Sequence, residues 1–360
     1  MAGFQVTGDK IIVRAMSVIC LVIPIAIVAW VSRHSVSVEN RQVRMAQVNF
    51  WSVAFLSDGE HLATVSGLDS PNDRPGRGEL TVWNLPTNGE EYVLRERSSI
   101  RALAVSPDGR LLAIGEFGGA TRLIDAISGR QTALLMSEGA VNSVCFSKDS
   151  HLLASGNLYG SIMVWEVGSL RSRKLDVPGI SFVSDASVLS VSFSPDGRLL
   201  AAGAKDGRVF LFDLSKEGNP RVLRAHEAEI DLAEGVEAIA FAPDGGTLVT
   251  GAQKCLRSWN VANGECLRDF DNSDADIVCA AFSPDGKTMA SVDSTGNLTL
   301  WDPATGGCRR AVGAHLGISF GVAYSPDGRR IATAGRRDKT VKIWDAQSLH
   351  LLSTLQRKFP

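Results

Sequence analysis

The chain has 360 residues, 44% of them hydrophobic, enough to bury the core of one large domain or two ordinary ones. Its 37 basic and 39 acidic residues leave a net charge of -2. That balance excludes a global basic field of the kind that holds nucleic acid non-specifically, and no nucleic-acid partner is expected. The six cysteines include no CxxC pair, which gives no support to a zinc site or a disulfide framework.

In chain order the first element differs from everything after it. Residues 1–14 form a short flank, followed by the uncharged run "AMSVICLVIPIAIVAWVS" from Ala15 to Ser32. About 20 such residues span a bilayer as a helix, so a single-pass membrane anchor over 15–32 is the leading expectation. Pro24 is tolerated better in a membrane helix than in a soluble one, and Trp30 suits the interface. A cleaved secretory signal is the rival reading, with "SVS" at 35–37 as a weak cleavage site, and a buried core helix is a third. Lys10 and Arg14 on one flank are matched by Arg33, Arg41 and Arg44 on the other, so charge does not fix the orientation. Residues 33–42 then serve as a linker.

From residue 43 to residue 360 one unit recurs. Its turn appears as "FLSDG", "VSPDG", "FSKDS", "FSPDG", "FAPDG", "FSPDG" and "YSPDG", with aspartates at 58, 108, 149, 196, 244, 285 and 327. A second marker keeps step, about 16 residues later in most units: Trp83, Ile124, Trp165, Phe212, Trp259, Trp301 and Trp344. Ahead of each turn apolar residues alternate, as in Leu189, Val191 and Phe193, the period of a strand. Ser-Pro-Asp-Gly supplies a tight turn, and two further turns make each unit a four-stranded antiparallel meander. One such sheet cannot bury both faces; seven arranged radially can.

These units resemble WD40 repeats, with the Trp-Asp dipeptide intact at Trp301-Asp302 and Trp344-Asp345. The resemblance covers roughly residues 43–360 and implies an all-β, seven-bladed β-propeller that acts as a scaffold. It also implies a buried His, Ser/Thr, Asp and Trp network, complete only in the last unit as His315, Thr333, Asp338 and Trp344. Elsewhere the turn aspartate is replaced by Arg77, Gly118, Tyr159 or Thr295, which leaves the stabilising detail of blades 1, 2, 3 and 6 open. The outer strand of the last blade can come from 348–356, with 41–48 as an addition or replacement.

Frame residues say little about activity, so function is sought where the units differ. The added length falls on one face of the ring, in 67–79, 176–187 and 225–235. Insertions confined to one face of a repeat array point to a binding face for a protein or peptide; length that is merely tolerated on a surface is the plainer reading. Charge on that face divides into an acidic arc, Glu227, Glu229, Asp231, Glu234, Asp271, Asp274 and Asp276, and a basic arc, Arg336, Arg337, Lys339, Arg74, Arg77, Arg95, Arg97 and Arg101. Opposed arcs would orient a complementary partner, whereas solvated loop charge would do nothing.

Catalysis is not expected, and neither is a cofactor or a metal. The histidines at 34, 61, 151, 226, 315 and 350 are scattered, and no GxSxG, HExxH or P-loop pattern occurs. The turn aspartates cap their own turns a blade apart. Cys145, Cys279, Cys266 and Cys308 are expected as buried strand thiols. Cys255 and Cys266 could face each other on neighbouring strands, where an exported domain could form a disulfide. "NLT" at Asn297 matches the glycosylation pattern but enters a strand. The innermost strands look apolar or small apart from Arg101, which weighs against a propeller enzyme or small-ligand sensor with its site at the channel mouth.

Overall fold

The computed structural model describes residues 48–68, 78–178, 187–226, 235–270 and 275–356. These residues form 28 strands in seven four-stranded sheets, each antiparallel. Within every sheet the order in space is the order in the chain, so each blade is the expected meander. The innermost strands are Val48–Phe55, Ile100–Val105, Val141–Phe146, Val188–Phe193, Ala238–Phe241, Ile277–Phe282 and Ser319–Tyr324.

The repeating turn builds the joint between the first and second strand of each blade. In five blades the serine hydroxyl donates to the aspartate two residues on at 2.5–2.7 Å, as in Ser106 to Asp108 and Ser325 to Asp327. The same aspartate accepts the backbone N–H of the residue beyond the glycine, as Asp196 does from Arg198. This is the local side chain to backbone bonding that draws Ser and Asp into turns. The fourth turn position lies in the left-handed region, φ 73° at Gly109, a conformation that glycine adopts without a Cβ penalty.

The second marker explains the packing between blades. Trp83, Ile124, Trp165, Phe212, Trp259, Trp301 and Trp344 are all buried, and each packs against the preceding blade, Trp83 against the last one. Seven hydrophobic cores thus lie between seven pairs of sheets. Burying one such aromatic side chain contributes on the order of 3 kcal/mol. A glycine near the end of the second strand lets the next blade approach. At Gly156 an added Cβ would lie 2.4 Å from Val188, and at Gly115 it would lie 2.5 Å from Val141.

The last blade takes its outer strand from its own chain, Leu351–Gln356, and among the described residues its sheet has four strands; residues 41–47 lie outside them. The ring is joined where the first blade meets the seventh: Phe50, Val53 and Phe55 share a core with Ala332, Val341 and Ile343. Arg330 donates to the Gly59 carbonyl at 2.6 Å, and Ser353 donates to Asn88 at 2.8 Å across the same seam. The expected anchor at 15–32 lies outside the described residues. Among those described, no helix is long and apolar enough to cross a membrane.

Candidate interaction face

Six of the seven innermost strands carry a register break near their start. The residue skipped by the ladder is Trp51, Arg101, Asn142, Leu189, Val278 or Phe320. Glu237 takes the equivalent place in blade 5, just ahead of its strand. A bulge re-aims the side chain of the extra residue, and here it does so once per blade. All seven residues line a cavity of about 230 Å³ at the centre of the ring. The start of each innermost strand follows the long connection from the previous blade, so this mouth opens on the face that carries the insertions.

The expectation that the mouth is apolar apart from Arg101 is corrected by this geometry. Glu237, Asn142, Trp51 and Phe320 belong to the same ring. The signal was present in the sequence: each lies four residues before the aromatic or valine that precedes the Ser-Pro-Asp-Gly turn, but a bulge is needed to turn that position inward.

On the side formed by blades 7, 1 and 2 the chemistry is concentrated. Trp51 and Phe320 have ring centroids 4.6 Å apart with their planes tilted by 37°. The Arg101 guanidinium lies 5.1 Å from the Trp51 ring and 4.7 Å from that of Phe117. Arg336, from the turn between the second and third strands of blade 7, lies 5.8 Å from Trp51 and 5.7 Å from Phe320. All four distances fall within cation–π range. Around this cluster the same face exposes Phe117, Leu158, Tyr159 and Leu316.

Of the predicted basic arc, the structure brings Arg101 and Arg336 together over one indole. Arg95 is drawn to the outer strand of blade 1, where it donates to Glu79 at 2.9 Å. Arg97 and Arg337 are exposed, and Lys339 occupies a left-handed backbone position with φ 55°. Arg74 and Arg77 lie outside the described residues. So do Glu227, Glu229, Asp231, Glu234, Asp271 and Asp274 of the acidic arc. Asp276 is described and half-buried, its backbone N–H donating to Ser294 at 3.2 Å.

In blade 7 His315, Thr333, Asp338 and Trp344 are joined by hydrogen bonds. Trp344 donates its indole N–H to Thr333 at 2.9 Å, His315 Nε2 lies 2.7 Å from the same hydroxyl, and His315 Nδ1 lies 2.9 Å from Asp338. Burial holds His315 below the usual histidine range, against the pull of Asp338. Blade 5 keeps three members, with His226 Nε2 3.0 Å from Thr250 and Trp259 bonded to that hydroxyl at 2.9 Å. The indole bond also forms in blades 1 and 6, to Thr64 and Ser291.

Where the turn aspartate is missing, the last residue of the second strand anchors the turn in blades 6 and 3, while in blade 2 the residue at that place pairs with the third strand instead. Asp293 accepts from the backbone of Thr295 and Asn297 at 2.9 Å each. Asn157 accepts from Tyr159 and Ser161 at 3.0 Å and donates to the Ser161 hydroxyl. Glu116 is ion-paired with Arg122.

Two cysteine expectations are corrected. Cys266 pairs with Trp259, whereas Cys255 lies at the far end of its strand opposite Ala252, so the two do not face each other and both are free thiols. Cys266 and Cys308 on outer strands are exposed, because an outer strand has no further blade to cover it. His61 and His151 bond to their own turn residues, Asp58 and Asp149. Among the described residues no three His, Cys, Asp or Glu side chains converge as metal ligands. Asn297 is held by Asp293 and Thr295.

Seven meander blades, each keyed by a buried aromatic or isoleucine and joined end to end, define a WD-repeat β-propeller. The chain belongs to the family described as Nucleolar protein 10-like, N-terminal domain, whose model matches residues 89–307, more than half of its length. The WD domain, G-beta repeat model matches residues 306–345, most of the last blade. Among curated relatives, WD repeat-containing protein slp1 of Schizosaccharomyces pombe is 27% identical over 73% of this chain. Periodic tryptophan protein 2 of Arabidopsis thaliana is 24% identical over 72%, and WD repeat-containing protein 3 of Mus musculus is 29% identical over 34%. The matched stretches amount to 53%, 27% and 13% of those proteins' own lengths.

Proposed function

We propose that this chain is a protein-interaction platform, held at a membrane by a single span over residues 15–32, that docks a protein or peptide on its insertion-bearing face and performs no chemistry of its own. The observation that carries this reading is the cluster of Trp51, Phe320, Phe117, Arg101 and Arg336 at the channel mouth. Exposed aromatic and apolar side chains interleaved with arginine are the composition of binding hot spots. The longest stretches between strands join strand ends on the face where that mouth opens, as expected of loops that carry function on a rigid frame. Its lining holds the titratable side chains Arg101, Glu237 and Cys279, and burial pushes the Cys279 thiol up, away from the thiolate that a nucleophile needs, which supports a docking surface over a reaction centre.

The test is affinity purification of the detergent-solubilised chain beside a variant with 70–77 and 227–234 replaced by short Gly-Ser loops. A companion captured by the parent and lost by the folded variant supports the platform. Capture of the same set by both would sink it and favour a small-ligand site at the channel. The anchor is tested separately by carbonate extraction of membranes. The parent is expected in the pellet, and a variant carrying Leu21→Arg and Ile25→Arg in the supernatant, since each charge at a span centre costs about 3 kcal/mol on insertion scales. Equal sedimentation of the two would overturn the span.

A further inference from the structure

Each blade ends in an outer strand whose far edge has no ladder among the described residues. Natural sheets blunt such edges with charge. Five of the seven outer strands carry charged side chains, such as Arg173 and Lys174 in blade 3 or Arg309 and Arg310 in blade 6. The outer strand of blade 2, Gln131–Met136, carries none; it reads QTALLM, with Leu134 48% and Met136 62% exposed. We propose that this edge joins two copies of the chain, strand to strand and antiparallel, about a two-fold axis at Leu134. The inference goes beyond the platform reading and does not rest on it.

Three observations point to a second copy. First, one side of this strand is fixed and the other is open. Ala133 and Leu135 pack against blade 3 and the inner edge pairs with Ala120–Asp125, while Thr132, Leu134 and Met136 are exposed. A strand laid on the free edge therefore meets a rigid template with an apolar face. Second, the ends of the strand complement each other. Exposed Arg130 precedes it and exposed Glu138 follows it, so antiparallel pairing centred on Leu134 sets Thr132 beside Met136 and Arg130 beside Glu138, once on each side of the axis. Thr132 is left out of the ladder within its own blade, which moves Arg130 by one place, and a side chain of that length reaches a glutamate directly opposite or on the diagonal. Lys174 contacts Oε2 of Glu138 at 3.1 Å, an exposed pair that a second cation can share. Third, the other uncharged edge, Leu351–Gln356 in blade 7, lacks this match. It is bounded by His350 and Arg357, which offer each other no opposite charge, and Ser353 donates from it to Asn88 of blade 1 at 2.8 Å. Six residues a side make a small interface, so a dissociation constant of about 1–100 μM is expected.

The experiment is sedimentation equilibrium of the full-length chain in density-matched detergent. Wild type and Leu352→Lys, on the blade 7 edge, are expected to form a dimer with rising concentration. Leu134→Lys sets two like charges on the axis and should weaken the dimer about tenfold or more. Arg130→Glu should weaken it as well, and the swapped pair R130E/E138R should restore it. Rescue by the swap cannot come from a damaged edge. Cross-linking reads the geometry: with the exposed thiols removed as C266S and C308S, L134C should form an intermolecular disulfide on mild oxidation, because opposed residues of an antiparallel pair stand within disulfide range, and L352C should not. A wild-type chain that stays monomeric to about 200 μM would overturn the proposal, being weaker than such an edge should give. So would a dimer that L134K leaves untouched, as association through residues 15–32 would be, a swapped pair that fails to restore it, or equal cross-linking through L352C.

Discussion

The indole of Trp51 and the ring of Phe320 meet 4.6 Å apart across the seam where the last blade joins the first. That contact fixes two neighbouring positions of the channel ring and gives Arg101 and Arg336 a common aromatic surface. Replacing Trp51 by alanine should therefore act on the seam as well as the mouth. A loss of about 1–3 kcal/mol is expected, because the side chain is half-buried and gives up both its packing and its aromatic pair. Trp51→Phe should restore most of it. Urea unfolding of the three proteins checks this, and equal midpoints for wild type and the alanine variant would show that the stack carries no load.

Blades 6 and 7 hold the turn between their second and third strands by different residues, which can be told apart by mutation. Thr333→Val leaves the Trp344 indole N–H and His315 Nε2 without their shared hydroxyl, and a cost of about 2–3 kcal/mol is expected. Asp293→Ala removes the acceptor of two backbone N–H groups in blade 6 and should cost about 1–3 kcal/mol. Thr295→Ala, at the position where the family pattern places its aspartate, should cost less than either. Thermal unfolding that ranks Thr295→Ala above Asp293→Ala would contradict the assignment.

The propeller was legible because its signals are local and repeated: a turn built on Ser-Pro-Asp-Gly or a close variant recurs in all seven units, and a large apolar marker follows it about 16 residues on in all but the first. The channel ring was not legible, because Trp51, Arg101 and Glu237 are spread over 187 positions of sequence and converge only when the ring closes. A bulge also reverses the inward and outward alternation at that point, so the period of two misplaces the very residues that line the mouth. The substitute roles of Asp293 and Asn157 escaped for a related reason. A turn can be anchored from its first residue as well as from its middle, and alignment to one position sees only one of those solutions.

Packing between blades makes the second-strand glycines sensitive to any side chain. Gly156 already has Val188 where its own Cβ would stand, at 2.4 Å, and Gly115 meets Val141 in the same way. Gly156→Val should destabilise by about 3 kcal/mol or more, since neither sheet can retreat without opening a neighbouring core. Gly168, with nothing near its Cβ position, is the matched control, and Gly168→Ala should be close to neutral. Chemical denaturation of both variants decides the point; similar midpoints would mean that the blades are free to separate.

The outer-strand thiols offer a check on which faces of a blade meet water. Cys266 and Cys308 are exposed, whereas Cys145 and Cys279 lie on innermost strands, where burial pushes their thiols up, Cys145 to about 12. Since the thiolate is the reacting form, iodoacetamide under native conditions should modify exposed Cys308 first and Cys266, whose thiol burial also raises, more slowly, with Cys279 at the cavity wall later and Cys145 last. Peptide mass mapping reads the order directly, and early labelling of Cys145 would mean that the channel wall opens.

The blade 5 network makes stability depend on pH in a definite direction. Burial, aided by the nearby Arg257 charge and opposed by Asp269, lowers His226 to about 4 in the folded protein. In the unfolded chain the same group titrates near 6.5, as an ordinary histidine does. As the pH falls through 6.5 the unfolded chain therefore binds the proton first, and the folded state loses stability until the pH reaches the folded value near 4. The contribution is complete above about pH 7 and should have fallen by about 1–2 kcal/mol at pH 5. His315 shifts in the same direction and adds to the effect. The turn aspartates are held low by their serine and backbone partners, whereas burial raises Glu96, so His226 is isolated by comparing wild type with a non-titrating variant at both pH values. Urea midpoints at the two pH values should separate in wild type and draw closer in His226→Gln, which keeps a donor for Thr250 but cannot titrate. If the two proteins lose equal stability between pH 7 and pH 5, His226 is not buried as a neutral group and the blade 5 network does not close as described.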